Sequence, residues 1–263
     1  MKVRGSKSRL LDRHRARCAI RRRFLRCIDM AVCVGVIGIF TYGFIGYAEG
    51  STDFQVRIVK IQGLRYLNAR DVLDESGVNT EWNILFFDSK LVQARVEAMP
   101  YVKSCRVKLI FPDTVVLDIF EREPFATLML NSHSYEIDED CVVLRAYAPT
   151  EMPMVPFFTD VAGMDFVQVG EVLEWECLRA AVALWRAFDK SHLSDVLTVS
   201  ELAMYGADDI RMYCDELPYK LRWGKGHFGR QVRRLEVVWS DQKGLLGCAE
   251  YLDLRFDKDL VCR

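Results

Sequence analysis

The chain has 263 residues, 51% of them hydrophobic, and its 36 Lys and Arg against 37 Asp and Glu give a formal net charge of −1. That composition excludes a low-complexity or wholly disordered polypeptide and allows more than one small domain. The near-neutral total hides a split: residues 1–29 hold eleven basic and two acidic side chains, a charge of +9, so the rest of the chain carries −10.

The basic leader ends at an uncharged run, Met30–Ala48, bounded by Asp29 and Glu49. Nineteen such residues are about what a helix needs to cross the roughly 30 Å hydrocarbon core of a bilayer. A helix satisfies its own backbone in lipid, so the four glycines of the run are tolerable there. The leader is too long, and the apolar run exceeds the usual signal-peptide core, so a retained anchor is expected rather than a cleaved signal. Cationic flanks stay in the cytoplasm, which places residues 1–29 inside and residues 49–263 outside. The arginines of the leader sit against the span and form no nucleic-acid reading motif; lipid head groups are their expected partner. Residues 1–20 can bury almost nothing and are expected to have no fold of their own.

After a polar linker at 49–53, the alternation of Phe54–Ile61 has the period of a half-buried strand, ended by Gly63. Asn68 caps a short helix that Gly77 closes, and Ile84-Leu85-Phe86-Phe87 is expected to enter the core. Asp88 caps a second helix with Leu91, Val92, Val96 and Met99 at helical spacing, ended by Pro100. Two strands follow, Val102–Phe111 and Thr114–Phe120, turning at Pro112-Asp113. Cys105, Val107 and Leu109 share one face of the first, and Val115, Leu117 and Ile119 match them on its partner. The order is β-α-α-β-β. Glu121-Arg122-Glu123 reads as a solvated junction between domains.

Beyond Pro124 short strands dominate: Phe125–Leu130, Tyr135–Asp138 and Val142–Tyr147, then strands near Leu197–Leu202, Asp209–Cys214 and Tyr219–Trp223. A helix over Val172–Phe188 carries Trp175, Leu178, Val182, Trp185 and Phe188 on one stripe. Another over Gly229–Trp239 turns Val232, Leu235 and Val238 inward and leaves Arg230, Arg233 and Arg234 solvated. The chain closes on an alternating terminal strand, Ala249–Val261. The fold class is α+β, a mixed, mainly antiparallel sheet with flanking helices.

Nine cysteines are dispersed, three in the leader and span and six beyond. The six (Cys105, Cys141, Cys177, Cys214, Cys248 and Cys262) show no CxxC pair, and read as small buried hydrophobes, with one or two disulfides as the alternative. His133, His192 and His227 are far apart, and no HxxxH, GxSxG or supported SxxK pattern occurs. Ser194-Asp195 beside His192 is local turn chemistry, and Trp223–His227 is a strand-to-helix turn. Neither catalysis nor a cofactor nor a metal is expected.

The ordered segments Val59–Leu64, Asn83–Asp88, Met99–Val107, Phe111–Thr114 and Glu121–Ala126 resemble the POTRA module of the FtsQ/DivIB family of bacterial division proteins. Tyr135–Asp140 is similar to the hairpin that opens that family's second domain, and Tyr251–Phe256 to its final strand; Cys141 stands where the family usually has a hairpin glycine. The resemblance implies a cytoplasmic tail at 1–29, a transmembrane helix at 30–48, a POTRA domain at 54–123 and a β domain at 124–263. It implies a non-catalytic scaffold in the cell membrane at the division septum, binding FtsB/DivIC-like and FtsL-like single-span partners and linking them to septal peptidoglycan synthesis. An exposed terminal strand can receive a partner strand, so the resemblance puts partner binding on Arg255, Phe256 and Lys258, with Tyr251 beside them. Leu252, Leu254 and Phe256 also alternate as a core face would. The family uses its POTRA module for recruitment of other division components, which implies a second surface at Ser104, Val107 and Leu109. A POTRA-bearing adaptor for secretion or outer-membrane assembly is the alternative. It predicts tandem POTRA units or a barrel of alternating ten-residue strands, and neither is visible in the sequence.

Overall fold

The computed structural model describes residues 30–131, 133–148, 150–153, 156–161, 166–241, 247–256 and 259–263. The leader at 1–29, with Cys18 and Cys27, lies outside the described residues. The described chain forms two compact units. One runs through Lys60 and includes Asn79–Phe87 and Leu109–Val115; the other holds Ile61–Val78, Asp88–Lys108 and Val116–Arg263.

The first unit begins with helix α1, Met30–Gly50, two residues longer than the uncharged run. Its 21 residues span about 31 Å at 1.5 Å each, the thickness of a bilayer's hydrocarbon core. The expected polar linker is ordered: Ser51 accepts a hydrogen bond from the Asp53 amide and opens a 3-10 turn at Thr52–Phe54. Just beyond, the Val56 amide donates to the Trp82 carbonyl at 2.9 Å, and the Arg57 amide to the Asp113 carbonyl at 2.8 Å. Asn83 caps a second 3-10 turn, Ile84–Phe86, by accepting from the Leu85 amide. Of the four residues expected in the core here, only Ile84 is buried. Phe87 is half-buried against Trp82, and Leu85 and Phe86 are exposed. A turn of three residues per revolution points one of three consecutive side chains inward, so the apolar run cannot all enter.

Strand β1 (Ile58–Gln62), helices α2 (Ala69–Ser76) and α3 (Ser89–Glu97), and strands β2 (Val102–Ile110) and β3 (Thr114–Glu121) follow in the β-α-α-β-β order, with sheet order β1-β3-β2. The capping is as the sequence implies. Asn68 Oδ1 accepts from the Arg70 amide, Asp88 Oδ1 from those of Lys90 and Leu91, and Gly77 ends α2 in the left-handed conformation. Gly63 is required where it stands, since a Cβ there would lie 2.0 Å from the Ile119 carbonyl oxygen. Central strand β3 buries Val115, Leu117 and Ile119. On edge strand β2, Cys105 is buried while Val107 and Leu109 are half-buried; in α3, Leu91 is exposed.

The remaining strands form one nine-stranded sheet. They are β4 (Pro124–Leu130), β5 (His133–Asp138), β6 (Val143–Ala146), β7 (Phe157–Thr159), β8 (Val199–Gly206), β9 (Asp209–Cys214), β10 (Lys220–Trp223), β11 (Tyr251–Asp253) and β12 (Val261–Cys262). Their order is β12-β11-β10-β9-β8-β7-β4-β5-β6. The sheet is mixed, as expected: β4 with β7, β7 with β8, and β10 with β11 run parallel, and its other pairs are antiparallel. Helix α4 (Glu176–Asp189) begins later than expected, because Val172 bridges to Val142 and Trp175 is the cap residue. From α4, Leu178, Ala181, Val182, Leu184 and Phe188 join the sheet's core; helix α5 (Phe228–Asp241) adds Val232 and Leu235, while Val238 is half-buried. Cys141 holds the β5–β6 turn at φ +62°, a left-handed conformation that glycine takes without strain.

The segment Glu121–Glu123 is not simply solvated. Glu121 accepts from three successive amides, Arg65, Tyr66 and Leu67, at 2.7 to 3.0 Å. Glu123 pairs with Arg65. Arg122 Nη1 reaches buried Asp138 at 2.7 Å and Asp140 at 3.4 Å, and Lys103 pairs with Asp140 at 2.9 Å. Buried Glu136 accepts from the hydroxyls of Tyr101 and Tyr147 and from Arg145. Buried carboxylates that hold hydrogen-bonded cations resist separation, so residues 101–103 and 122 are fixed to the β5–β6 hairpin.

Candidate docking site at the C-terminal sheet edge

The terminal segment does not form the continuous strand expected over Ala249–Val261. Strand β11 pairs on one side with β10, in the register Lys220↔Tyr251, Leu221↔Leu252 and Arg222↔Asp253. On its other side it pairs with β12, Leu252↔Cys262 and Asp253↔Val261. The edge of the sheet is therefore β12, the last few residues of the chain, and Tyr251–Asp253 lies one strand in. Tyr251 and Arg263 exchange both backbone hydrogen bonds, at 3.2 and 3.1 Å. In an antiparallel ladder bonded and non-bonded pairs alternate, so the N–H and C=O of Cys262 face outward from the sheet.

Two covalent and polar devices hold this edge. Cys248 and Cys262 form a disulfide, correcting the expectation that these two are unpaired hydrophobes; Cys105, Cys141 and Cys214 are free and buried, as expected. The spacing of 14 residues carries no local signature of pairing. Arg234 of α5 donates to the Phe256 carbonyl at 2.7 Å and to the Asp259 carbonyl at 2.9 Å, clamping both ends of the connection between β11 and β12. That clamp turns the chain back where an alternating pattern would continue.

Asp253 is buried and accepts from the Arg255 amide and from Nε and Nη2 of its guanidinium, at 2.8 to 3.1 Å. Burial alone would raise this carboxyl; the Arg255 hydrogen bonds and the nearby Arg222 charge hold it below the ordinary range. Asp209 is treated the same way, opposed by burial but lowered by Arg222 and Arg211. Arg222 also lies over the Tyr251 ring, 5.5 Å from its centre.

These contacts place the residues that the sequence puts forward for partner binding. Phe256 is 51% exposed, with its ring at the surface rather than in the core. Arg255 is exposed and packed across Gly224, where a Cβ would meet it at 3.2 Å. Tyr251 is half-buried beneath Arg222, and Lys258 lies outside the described residues. On the three-stranded sheet, Ser104 is exposed on edge strand β2, with Val107 and Leu109 half-buried farther along it.

A groove of about 640 Å³ separates α5 from β11 and β12. Leu252, Leu260 and Val237 give it an apolar lining, and Arg230, Arg233 and Arg234 stand along its rim. Sequence reading leaves these arginines as an idle solvated face; the signal available was their i, i+3, i+4 spacing, which aligns them on one side of the helix. Among the described residues no carboxylate pairs with Arg230 or Arg233. Among the described residues the edge thus joins an open backbone, an apolar groove and three arginines against one lining carboxylate, Asp259.

Comparison with known sequences agrees along the chain. Residues 54–122 match the family described as the POTRA domain, FtsQ-type. Proteins named "Cell division protein FtsQ" are similar over most of the length. That of Syntrophotalea carbinolica is 24% identical over 84% of this chain and 78% of its own. That of Geobacter sp. strain M21 is 21% identical over 88% and 84%, and that of Anaeromyxobacter sp. strain K is 26% identical over 92% and 83%.

Proposed function

We propose that this chain, which belongs to the FtsQ family of cell division proteins, is a membrane-anchored scaffold whose C-terminal sheet edge captures an extended segment of an FtsB/DivIC-like partner. The observation that carries this reading is the open edge at Cys262 beside the arginine-rimmed groove. Main-chain hydrogen bonds to an added strand supply affinity, and side-chain pockets supply choice. The groove suits a segment with apolar residues alternating with carboxylates, which would meet Arg230 and Arg233. Phe256 and Arg255 are of residue types enriched at interfaces, and they anchor one end; Tyr251 lies beside them, and Lys258 is put forward with them by the family resemblance alone.

In this reading an FtsL-like protein joins through its partner, and the assembly acts on septal peptidoglycan synthesis without chemistry by this chain. Helix α1 fits a single-pass membrane protein. The basic leader supports a cytoplasmic N-terminus, and the disulfide supports an oxidising compartment for the β domain. Exposed Ser104 on β2, with Val107 and Leu109, is a second surface, suited to recruitment of other division components at the septum.

The test is co-purification of the full chain with an FtsB/DivIC-like partner from detergent extract. Phe256→Lys is expected to abolish partner recovery while circular dichroism and melting stay unchanged. Undiminished recovery would remove Phe256 from the interface.

A further inference from the structure

We infer that two apolar loops of the POTRA module are seated in the membrane surface beside α1, so that the module is held by lipid as well as by its tether. The inference rests on α1 crossing the membrane. The first loop is the 3-10 turn Ile84-Leu85-Phe86 with Phe87, and the second is the end of β2 with its turn, Leu109-Ile110-Phe111-Pro112; neither contains a charge. Leu85 and Phe86 are 37% and 57% exposed, Ile110 and Phe111 53% and 58%. Isolated exposed apolar residues are ordinary, but four large ones on two uncharged loops of one body are not.

Both loops are fixed at the outer end of α1. Asn83 Nδ2 donates to the Ala48 carbonyl at 2.6 Å, in the helix's last turn. Gln55 bridges to Asn83, Val56 bonds to Trp82, and its neighbour Arg57 bonds to Asp113. Two adjacent residues, a few past the helix end, therefore hold both loops, and all of these residues belong to the unit that contains α1. A chain advances at most about 3.6 Å per residue, so Phe86, three beyond Asn83, stays within about 11 Å of the residue whose side chain bonds to Ala48. Side chains that bind at a bilayer surface sit about 5–10 Å into the boundary between head groups and acyl chains. With α1 filling the hydrocarbon thickness, Ala48 lies at that boundary, and the loops lie within reach of it. The Trp82–Phe87 pair, 5.7 Å between ring centres, braces the first loop from behind. The chemistry of the occupant is that of the lipid surface: apolar on the loops, with no cationic cluster that would call for a particular head group.

The full chain, reconstituted in phosphatidylcholine–phosphatidylglycerol vesicles, tests this with the photo-cross-linker p-benzoyl-phenylalanine placed singly at Phe86, Phe111, Phe40 or Tyr205. Lipid adducts are expected at Phe86, Phe111 and the mid-helix Phe40, and loss of adducts at Tyr205, exposed on β8. Adducts at Phe40 without any at Phe86 and Phe111 would overturn the inference and leave the membrane anchor standing. Absence at Phe40 would overturn both. Cross-links from Phe86 or Phe111 to a second copy of the chain would assign the loops to self-association instead. The unmodified chain gives an independent reading, because nitroxide-bearing lipids should broaden the methyl signals of Leu85 and Ile110 and leave buried Leu202 sharp. Equal sharpness of all three would refute the seating.

Discussion

Arg122 donates to Asp138 across 2.7 Å, and the aspartate is only 2% exposed. The same carboxylate accepts from the amides of Asp140 and Val142, so it also shapes the β5–β6 turn. A buried charge stripped of its cation is costly, about 3–5 kcal/mol. Arg122→Ala is therefore expected to destabilise the protein by about 3 kcal/mol, read as a lower urea midpoint at unchanged slope. Arg122→Lys should recover part of this loss, because it restores charge without the planar fork. A loss below about 0.5 kcal/mol for the alanine variant would reduce the pair to an ordinary surface contact.

Acid should loosen the C-terminal edge. The carboxyls of Asp253 and Asp209 are held below their ordinary value of 3.8 despite burial, by Arg255 and by Arg222 respectively. A depressed carboxyl contributes stability that is fully present above that ordinary value and is lost as pH falls through the folded one. Amide protection at Tyr251–Asp253 is expected to be flat from pH 7 to about pH 5 and to fall steeply below 3.8. Asp253→Asn should remove much of the acid dependence and lower protection at pH 7. A fall centred near pH 6 instead would point to a histidine and away from this network.

What the sequence makes legible here follows from local physics. Hydropathy and charge give α1, and period-two and period-3.6 patterns with Asn68, Asp88 and Gly77 at helix ends give the POTRA elements. The terminal strands were legible by composition but not by geometry. Leu252, Leu254 and Phe256 alternate like one strand, yet the break after Asp253 depends on Arg234, some 22 residues earlier in the chain, reaching the Phe256 carbonyl. Parallel pairing of β10 with β11 and the Cys248–Cys262 bridge are likewise long-range choices with no short-range signature. Leu85 and Phe86 mislead for a different reason: an apolar run marks burial in some apolar medium, and the protein interior is only one of these.

Breaking the disulfide should cost measurable stability. Closing a loop of about 15 residues restricts the unfolded chain by about 3 kcal/mol. For a protein of this size, 1 kcal/mol moves the melting temperature by about 2–4 °C, so the Cys248→Ser, Cys262→Ser double variant is expected to melt roughly 6–12 °C lower. Reductant should act in the same direction on the wild type. Cys105 and Cys141, pushed by burial to about 11, and Cys214, to about 12, should stay unreactive towards a thiol reagent at pH 8 in the folded protein. A melting temperature indifferent to both the substitutions and the reductant would remove the bridge from the account of the edge.

The three rim arginines should separate by role. Arg230 and Arg233 have no partner carboxylate among the described residues, whereas Arg234 is committed to two backbone carbonyls. Charges on an interface rim govern encounter rate and salt dependence more than the folded state. Arg230→Glu with Arg233→Glu is therefore expected to weaken capture of an FtsB/DivIC-like partner at least tenfold, about 1.4 kcal/mol, with melting unchanged and with a flatter dependence on salt. Arg234→Ala should act differently, lowering amide protection at Tyr251–Asp253 before any partner is added, because the connection to β12 loses its clamp. If the double reversal leaves affinity and salt dependence untouched, the groove's charge has no part in recognition. The proposed capture would then rest on the backbone of Cys262 and on Phe256 alone.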